Sequence, residues 1–265
     1  MSIENQFQNG IVILGAGNVA THLSLALKQA QFSIKCIYSK TINSARTLAE
    51  QLNTQYTDNL NQIPVGSDLY IIAVKDEIIQ YVAENLKLEH GIIVHTAGSI
   101  SVDAFKGKFQ NYGVFYPLQT FSKSREIDFR EVPICIEANT EELENKLFNL
   151  ASSLSKSVFK IDSEKRRSLH LAAVFACNFS NHMYSIAHEI LNQSGVSFKL
   201  IKPLIKETAQ KAIDQEPLKA QTGPAARNDE KVILKHLEML KNNPDYEKIY
   251  RFVSKSIYKL NNQEE

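Results

Sequence analysis

The run Gly15-Ala16-Gly17-Asn18-Val19-Ala20 lies between the apolar stretch IVIL (11–14) and a helical pattern that reaches about residue 30. This is the G-x-G-x-x-A spacing in the strand–turn–helix setting it requires, and its chemistry is that of backbone N–H groups meeting an anion. Gly15 permits the tight turn, Gly17 lets the main chain approach a pyrophosphate, and Ala20 lets the helix lie close on the strand. The helix start, with Ala16, Asn18 and Val19 around it, offers free N–H groups and the positive end of the helix dipole. The competing reading is a tight turn that holds nothing. The strand–turn–helix setting favours the phosphate cradle.

A second chemical signal lies in SLHLAAVFACNFSNHMYSIAHEIL (168–191). At about 100° per residue, His170, Val174, Cys177, Asn178, Asn181, Ser185 and His188 share one side of a helix. Leu169, Phe175, Phe179, Met183, Ile186 and Ile190 fill the other. A solvent-facing stripe normally carries charged residues. This one carries neutral hydrogen-bonding groups, which suit a partly hydrated crevice where fixed charge would be costly. His170 could donate or accept a proton near neutral pH, and Asn178 could orient a carbonyl or carboxylate. The competing reading is a stripe facing another helix or a second subunit, and it is the better one for Asn181, Ser185 and His188.

The elements that must position these groups fall into two textures. Residues 1–162 alternate strand and helix. Strands are predicted at 11–15, 33–39, 68–74, 91–96, 112–117, 132–138 and 157–162, with helices over 41–53, after Asp76 as N-cap, and over 141–154 with Thr140 as N-cap. Residues 163–265 show no strand. A long helix should run to about Gln193 with Gly195 just past its end, followed by a helix capped by Ser197 and reaching about Lys219. The break QTGPAARND (221–229) precedes a helix over 230–242, and Asn243-Pro244 opens the last one. The tail 261–265 is expected to fray. The order implies an α/β, doubly wound Rossmann-like parallel sheet (1–162) followed by an all-helical domain (163–265).

In such a sheet, ligands lie beyond the carboxyl ends of the strands. The second strand ends Tyr38-Ser39-Lys40-Thr41, with no carboxylate for a ribose 2′-hydroxyl. Ser39, Lys40 and Arg46 suit a 2′-phosphate instead, so NADP(H) is expected over NAD(H). Lys40 and Arg46 also fit the plainer role of exposed charges. At the ends of later strands, Val74, Lys75, His95, Thr96 and Gly98 are candidate cofactor contacts, and Ser99 and Gln119 candidate substrate contacts. His95 stays open between a crevice group and a satisfied strand-end histidine. Gln119 stays open between a substrate contact and part of a structural corner with Tyr116 and Leu118. Arg227, in the GPAARND break, could clamp a substrate anion.

Bulk properties exclude other classes. The chain has 265 residues, a net charge of +1, 43% hydrophobic and 22% charged residues, so no global field draws it to nucleic acid or an anionic membrane. No apolar run reaches the ~20 residues of a membrane span, and the first ten residues lack the features of a signal peptide. Cys36, Cys135 and Cys177 each sit in apolar surroundings and read as reduced core residues of a cytoplasmic protein. The histidines show no metal-ligand spacing.

The Gly15–Ala20 motif, AVKD (73–76), HTAGS (95–99) and an all-helical second half resemble the 6-phosphogluconate dehydrogenase-like and pyrroline-5-carboxylate reductase-like proteins. Three stretches, VFYPLQTF (114–121), HLAAVFACN (170–178) and TGPAARND (222–229), resemble a narrower family of Rossmann-like oxidoreductases without an assigned substrate. The resemblance implies NADP(H) binding and a 6-phosphogluconate dehydrogenase C-terminal-like helical domain that forms a homodimer. Two departures matter. Tyr116 stands where that family often has histidine, and Val174 stands where the hydroxyacid and phosphogluconate dehydrogenases carry an acid/base lysine. A valine transfers no proton, so their mechanism does not carry over.

The expectation is an NADP(H)-dependent oxidoreductase acting on a small, anionic carbonyl, imine or hydroxyacid, with His170 and Asn178 as catalytic candidates. Rival readings are a non-catalytic NADP(H)-binding redox sensor or assembly protein, which the missing lysine favours, and a deazaflavin-dependent NADP oxidoreductase.

Overall fold

The computed structural model describes residues 7–262, so Gln263, Glu264 and Glu265 of the expected frayed tail, and the first six residues of the N-terminal decapeptide, lie outside it. Eight strands form one sheet: β1 (Ile11–Leu14), β2 (Ile34–Tyr38), β3 (Gln55–Thr57), β4 (Leu69–Ile72), β5 (Ile92–His95), β6 (Tyr112–Pro117), β7 (Ile134–Ala138) and β8 (Val158–Lys160). Their order is β3-β2-β1-β4-β5-β6-β7-β8, which begins as the Rossmann order 3-2-1-4-5-6. Strands β1, β4 and β5 are buried at every position, as parallel strands covered on both faces must be. Helices α1 (Asn18–Gln29), α2 (Ile42–Leu52) and α4 (Glu141–Leu154) share one hydrophobic cluster with one face of the sheet, and α3 (Asp76–Asn85) shares a second with the other.

The sheet is not parallel throughout: β7 runs antiparallel to β6, and β8 follows β7 in parallel. The cause is the connection. A parallel return needs a crossover of a dozen or more residues, usually a helix, whereas residues 118–133 supply only a 3-10 turn at Phe129–Glu131. Because Pro117 pairs with Ile134, this connection starts and ends at the carboxyl end of β6, on the ligand side of the sheet.

Caps follow the sequence in part. The Thr140 hydroxyl accepts from the Leu143 N–H at 3.3 Å, with Glu141, Glu142 and Glu144 in the first turn of α4. Asp76 does not cap α3. It is the first helical residue, Lys75 holds the cap position, and the Asp76 carboxylate instead accepts from the Ser99 hydroxyl.

The second texture is all helix, as expected: α5 (Ser163–Ala173), a π segment (Val174–Phe179), α6 (Ser180–Gln193), α7 (Lys202–Asp214), α8 (Pro217–Ala220), α9 (Glu230–Leu240) and α10 (Pro244–Asn261). The helix expected to reach Lys219 stops at Asp214, because Gln215 and Glu216 turn extended before Pro217, as the residue preceding a proline prefers. Gly195 ends α6 at φ +67°. The chain divides into two compact units, 1–177 and 178–265, whereas the strands end before the expected boundary at 162. Among the described residues no helix is long and apolar enough to cross a membrane, and no cluster could hold a metal. Cys36 and Cys135 are buried as expected, but Cys177 is exposed, because the π segment carrying it leaves no residue buried.

Candidate dinucleotide site

The turn between β1 and α1 has the geometry its glycines allow. Gly15 sits at φ +138°, and its N–H donates to the Tyr38 carbonyl at 2.8 Å. A Cβ there would lie 2.1 Å from the Ala73 carbonyl oxygen, so β1 and the end of β4 meet through the missing side chain. Gly17 is exposed, and a Cβ on it would meet nothing within 4 Å. The space before it is open. Ala20 is fully buried and Val19 partly buried against the same core. Gly17 holds the N-cap position of α1, no side chain caps the helix, and its first turn has no acidic residue. Uncapped N–H groups beside an open glycine fit a dinucleotide pyrophosphate. Asn18 turns away and donates its amide to the Phe121 carbonyl at 2.9 Å.

At the end of β2, the Ser39 hydroxyl accepts from the Thr41 N–H at 3.3 Å. Lys40 is exposed. Arg46 forms an exposed 3.3 Å pair with Glu50, and such surface pairs contribute only ~0–1 kcal/mol, so it can be exchanged for a phosphate. Val74 is half-buried and Lys75 exposed. The Thr96 N–H is committed to the Ile72 carbonyl at 3.1 Å.

His95 is fully buried. Its Nδ1 accepts from the Ala97 N–H at 3.2 Å, which places the ring proton on Nε2, 3.3 Å from the Ser101 carbonyl. Both nitrogens are thus satisfied inside the protein, and the ring fixes the 95–101 turn. Burial, with the Arg166 charge adding to it, pushes its pKa down to about 4. The folded value lies below the unfolded ~6.5, so the stability His95 contributes is complete above about pH 6.5. It is lost as pH falls toward 4, because the unfolded chain binds the proton first. Chemical melts between pH 7 and pH 4.5 should show a decline of roughly 2.5 kcal/mol, flattened in His95→Gln. Equal slopes for both proteins would clear His95.

Next to this turn stand Gly98, Tyr116 and His170. The Tyr116 hydroxyl lies 2.9 Å from His170 Nδ1. A Cβ on Gly98 would fall 2.7 Å from His170 Cγ and Nδ1 and 2.8 Å from Tyr116 Cζ, so Gly98 lets the imidazole and phenol close over the main chain. Burial pushes the Tyr116 hydroxyl up to about 12, so the phenol keeps its proton.

The network holding His170 is one that sequence reasoning missed. One turn before it, Arg166 is wholly buried and pairs with Glu137 on β7. It also donates to the Ile100 carbonyl and, at 3.1 Å, to the Ser163 hydroxyl. The Ser163 hydroxyl donates to Glu137 at 2.7 Å and accepts from the Val102 N–H at 3.0 Å. Arg166 Nε alone lacks a partner. The start of α5 is thereby fixed to both β7 and the turn after β5.

Within the same unit, Gln119 is not brought into this cluster. Gln119 is exposed, and its side-chain carbonyl accepts from the Thr120 N–H at 2.8 Å. Asn178 lies in the π segment and is exposed. There i→i+5 winding replaces the α winding that the common stripe with His170 assumed. Arg227 is exposed in the second unit.

An open glycine turn at the carboxyl end of a doubly wound sheet defines a Rossmann-like, dinucleotide-binding class of protein. Residues 10–98 match the family described as NADP oxidoreductase, coenzyme F420-dependent, and residues 132–257 match a domain of unknown function, DUF2520. A "putative NADP oxidoreductase" of Bacteroides fragilis is 47% identical, with 97% of this chain and 100% of that one covered and a TM-score of 0.90. The chain belongs to this family of Rossmann-like oxidoreductases with a DUF2520 C-terminal domain. The fold is shared with 1-pyrroline-5-carboxylate reductase of Streptococcus pyogenes (17% identity, 94% and 98% covered, TM-score 0.60). It is also shared with an imine reductase of Myxococcus stipitatus in complex with NADP+ (15% identity, 94% and 92% covered, TM-score 0.63). No curated protein matches.

Proposed function

We propose that the protein is an NADP(H)-dependent reductase or dehydrogenase of a small anionic carbonyl, imine or hydroxyacid. The observation that carries this reading is the open, uncapped glycine turn in the same unit as the Tyr116–His170 pair. When bound, the nicotinamide supplies or accepts the hydride. His170 is the proton donor or acceptor. Its Nδ1–H can donate to the Tyr116 hydroxyl, which leaves Nε2 to accept the proton when the ring is neutral and to give it back when the ring is charged. Ser99 and Gln119 are the substrate contacts we assign in the first unit. Asn178 and Arg227, both exposed in the second, have the chemistry to orient a carbonyl and hold an anion. Ser39, Lys40 and Arg46 favour NADP(H) over NAD(H).

The test is a fluorescence titration with NADPH and NADH, followed by turnover on a panel of imines and 2-oxoacids. NADPH should bind at least about tenfold tighter, a difference of ~1.4 kcal/mol, and Lys40→Ala should weaken NADPH alone. His170→Ala should keep binding and lose about 10²–10⁴ in turnover. Binding of neither nucleotide ends the reading. Binding without turnover supports a non-catalytic sensor. A second reading is favoured by the match over residues 10–98: the hydride partner of NADP(H) is a deazaflavin, tested by adding reduced coenzyme F420 and following NADPH formation.

We also propose a homodimer through the helical part. Among the described residues of 178–265, the only buried hydrophobics are Ala225 and Leu237, while Leu204, Ile213, Leu234, Met239 and Phe252 are each more than 60% exposed. Helices draw their stability from burying an apolar face, and a second copy closing a two-fold interface supplies that burial. Light scattering should give twice the chain mass of 29.9 kDa, with a melting temperature that rises with concentration. A stable monomer would refute it.

A further inference from the structure

Lys123, in the connection between β6 and β7, reaches back to the glycine turn, where its Nζ donates to the Ala16 carbonyl at 2.7 Å. Two residues of α1 hold the same connection there. Asn18 donates to the Phe121 carbonyl. His22 meets the Ser122 carbonyl at 2.9 Å and stacks on Phe121 at 5.2 Å between ring centroids. The placement is electrostatically odd. The ammonium sits beside the start of α1, which already carries the positive end of the helix dipole, and like charge there is unfavourable. Among the described residues only the Ala16 carbonyl is shown to offset it, and no carboxylate pairs with it: α1 has no acidic residue in its first turn and no side-chain cap, and Lys123 forms no ion pair.

We propose that Lys123 is a ligand of the dinucleotide pyrophosphate, so that the connection 118–133 forms the second wall of the phosphate site opposite the glycine turn. This rests on the dinucleotide reading above and adds to it a residue outside the Gly15–Ala20 motif. An anion seated between the N–H groups of α1 and Lys123 turns two facing positive potentials into two charge-assisted attractions. An ammonium has three donors. One is used on Ala16, which fixes its position, and two remain for phosphate oxygens. The pyrophosphate is common to NADPH and NADH, so Lys123 serves affinity for both and does not choose between them. That choice belongs to the groups at the end of β2.

The experiment is titration of wild type, Lys123→Met and Lys123→Arg with NADPH and with NADH. Lys123→Met should weaken both by about tenfold to a hundredfold, the range of a charge-assisted hydrogen bond. The NADPH/NADH ratio should be unchanged, and Lys123→Arg should stay within a fewfold of wild type. The side chain is exposed, so the unliganded variant should melt as wild type does. Unchanged affinity for both nucleotides overturns the proposal. Weakening of NADPH alone also overturns it, by moving Lys123 to the 2′-phosphate. Failure of the wild type to bind either nucleotide overturns the dinucleotide reading itself and this proposal with it, an outcome visible without any variant.

Discussion

Arg166→Met is expected to lower stability by about 3–5 kcal/mol, the cost of breaking a buried ion pair from one side. In a unit of this size that is a fall of roughly 10 °C in melting temperature. Arg166 is completely buried, and Glu137 is 13% exposed by side chain. Removing the guanidinium leaves the carboxylate with the Ser163 hydroxyl as its remaining donor and strips the Ile100 carbonyl of its partner. Methionine fills much of the same volume, so the loss would be electrostatic and not a cavity. The double variant Arg166→Met/Glu137→Met removes both charges and should recover most of the loss, since taking out both partners is far less costly than taking out one. A single variant that melts within about 1 kcal/mol of wild type would show that the pair contributes little. The same change should reduce turnover, because His170 stands one turn further along the helix that Arg166 fixes.

What the sequence made legible was chemistry carried by neighbouring residues. The glycine turn is local: Gly15, Gly17 and Ala20 have their roles within six residues, and the structure places them as their spacing implies. The apolar strands and the Thr140 cap are equally local. Groups whose role depends on a distant partner were not legible. Nothing in SEKRRSLH (163–170) separates buried Arg166 from exposed Arg167, because the difference is made by Glu137 on β7. Lys123 likewise looks like any loop lysine until the antiparallel turn into β7 brings it to Ala16. The common face of His170 and Asn178 was read with a period of 3.6, and a π segment changes that period without a sequence signal. Asp76 looked like a cap because a carboxylate before a helix normally is one, but Ser99, from the next strand end, takes its oxygen.

Gly15→Ala and Gly17→Ala should fail in opposite ways, and the contrast separates folding from binding. At Gly15 the backbone is at φ +138°, a conformation L side chains rarely adopt, and the added methyl would lie 2.1 Å from the Ala73 carbonyl oxygen. Neither side can yield cheaply. Gly15 is tied to Tyr38 by its N–H, and Ala73 to Leu14, each at 2.8 Å, so the clash pushes β1 and β4 apart. A loss of at least about 3 kcal/mol is expected, from strain added to a disrupted main-chain contact, with nucleotide binding lost alongside it. At Gly17, φ is −81° and a methyl meets nothing in the protein. Thermal melts of Gly17→Ala should therefore match wild type to within about 1 kcal/mol. Its affinity for NADPH should nevertheless fall by tenfold or more, because the methyl occupies the space through which the main chain meets the pyrophosphate. A Gly17→Ala protein that melts and binds as wild type does would mean that the open space before Gly17 is not where the phosphates lie, and the site would have to be sought elsewhere along the carboxyl edge of the sheet.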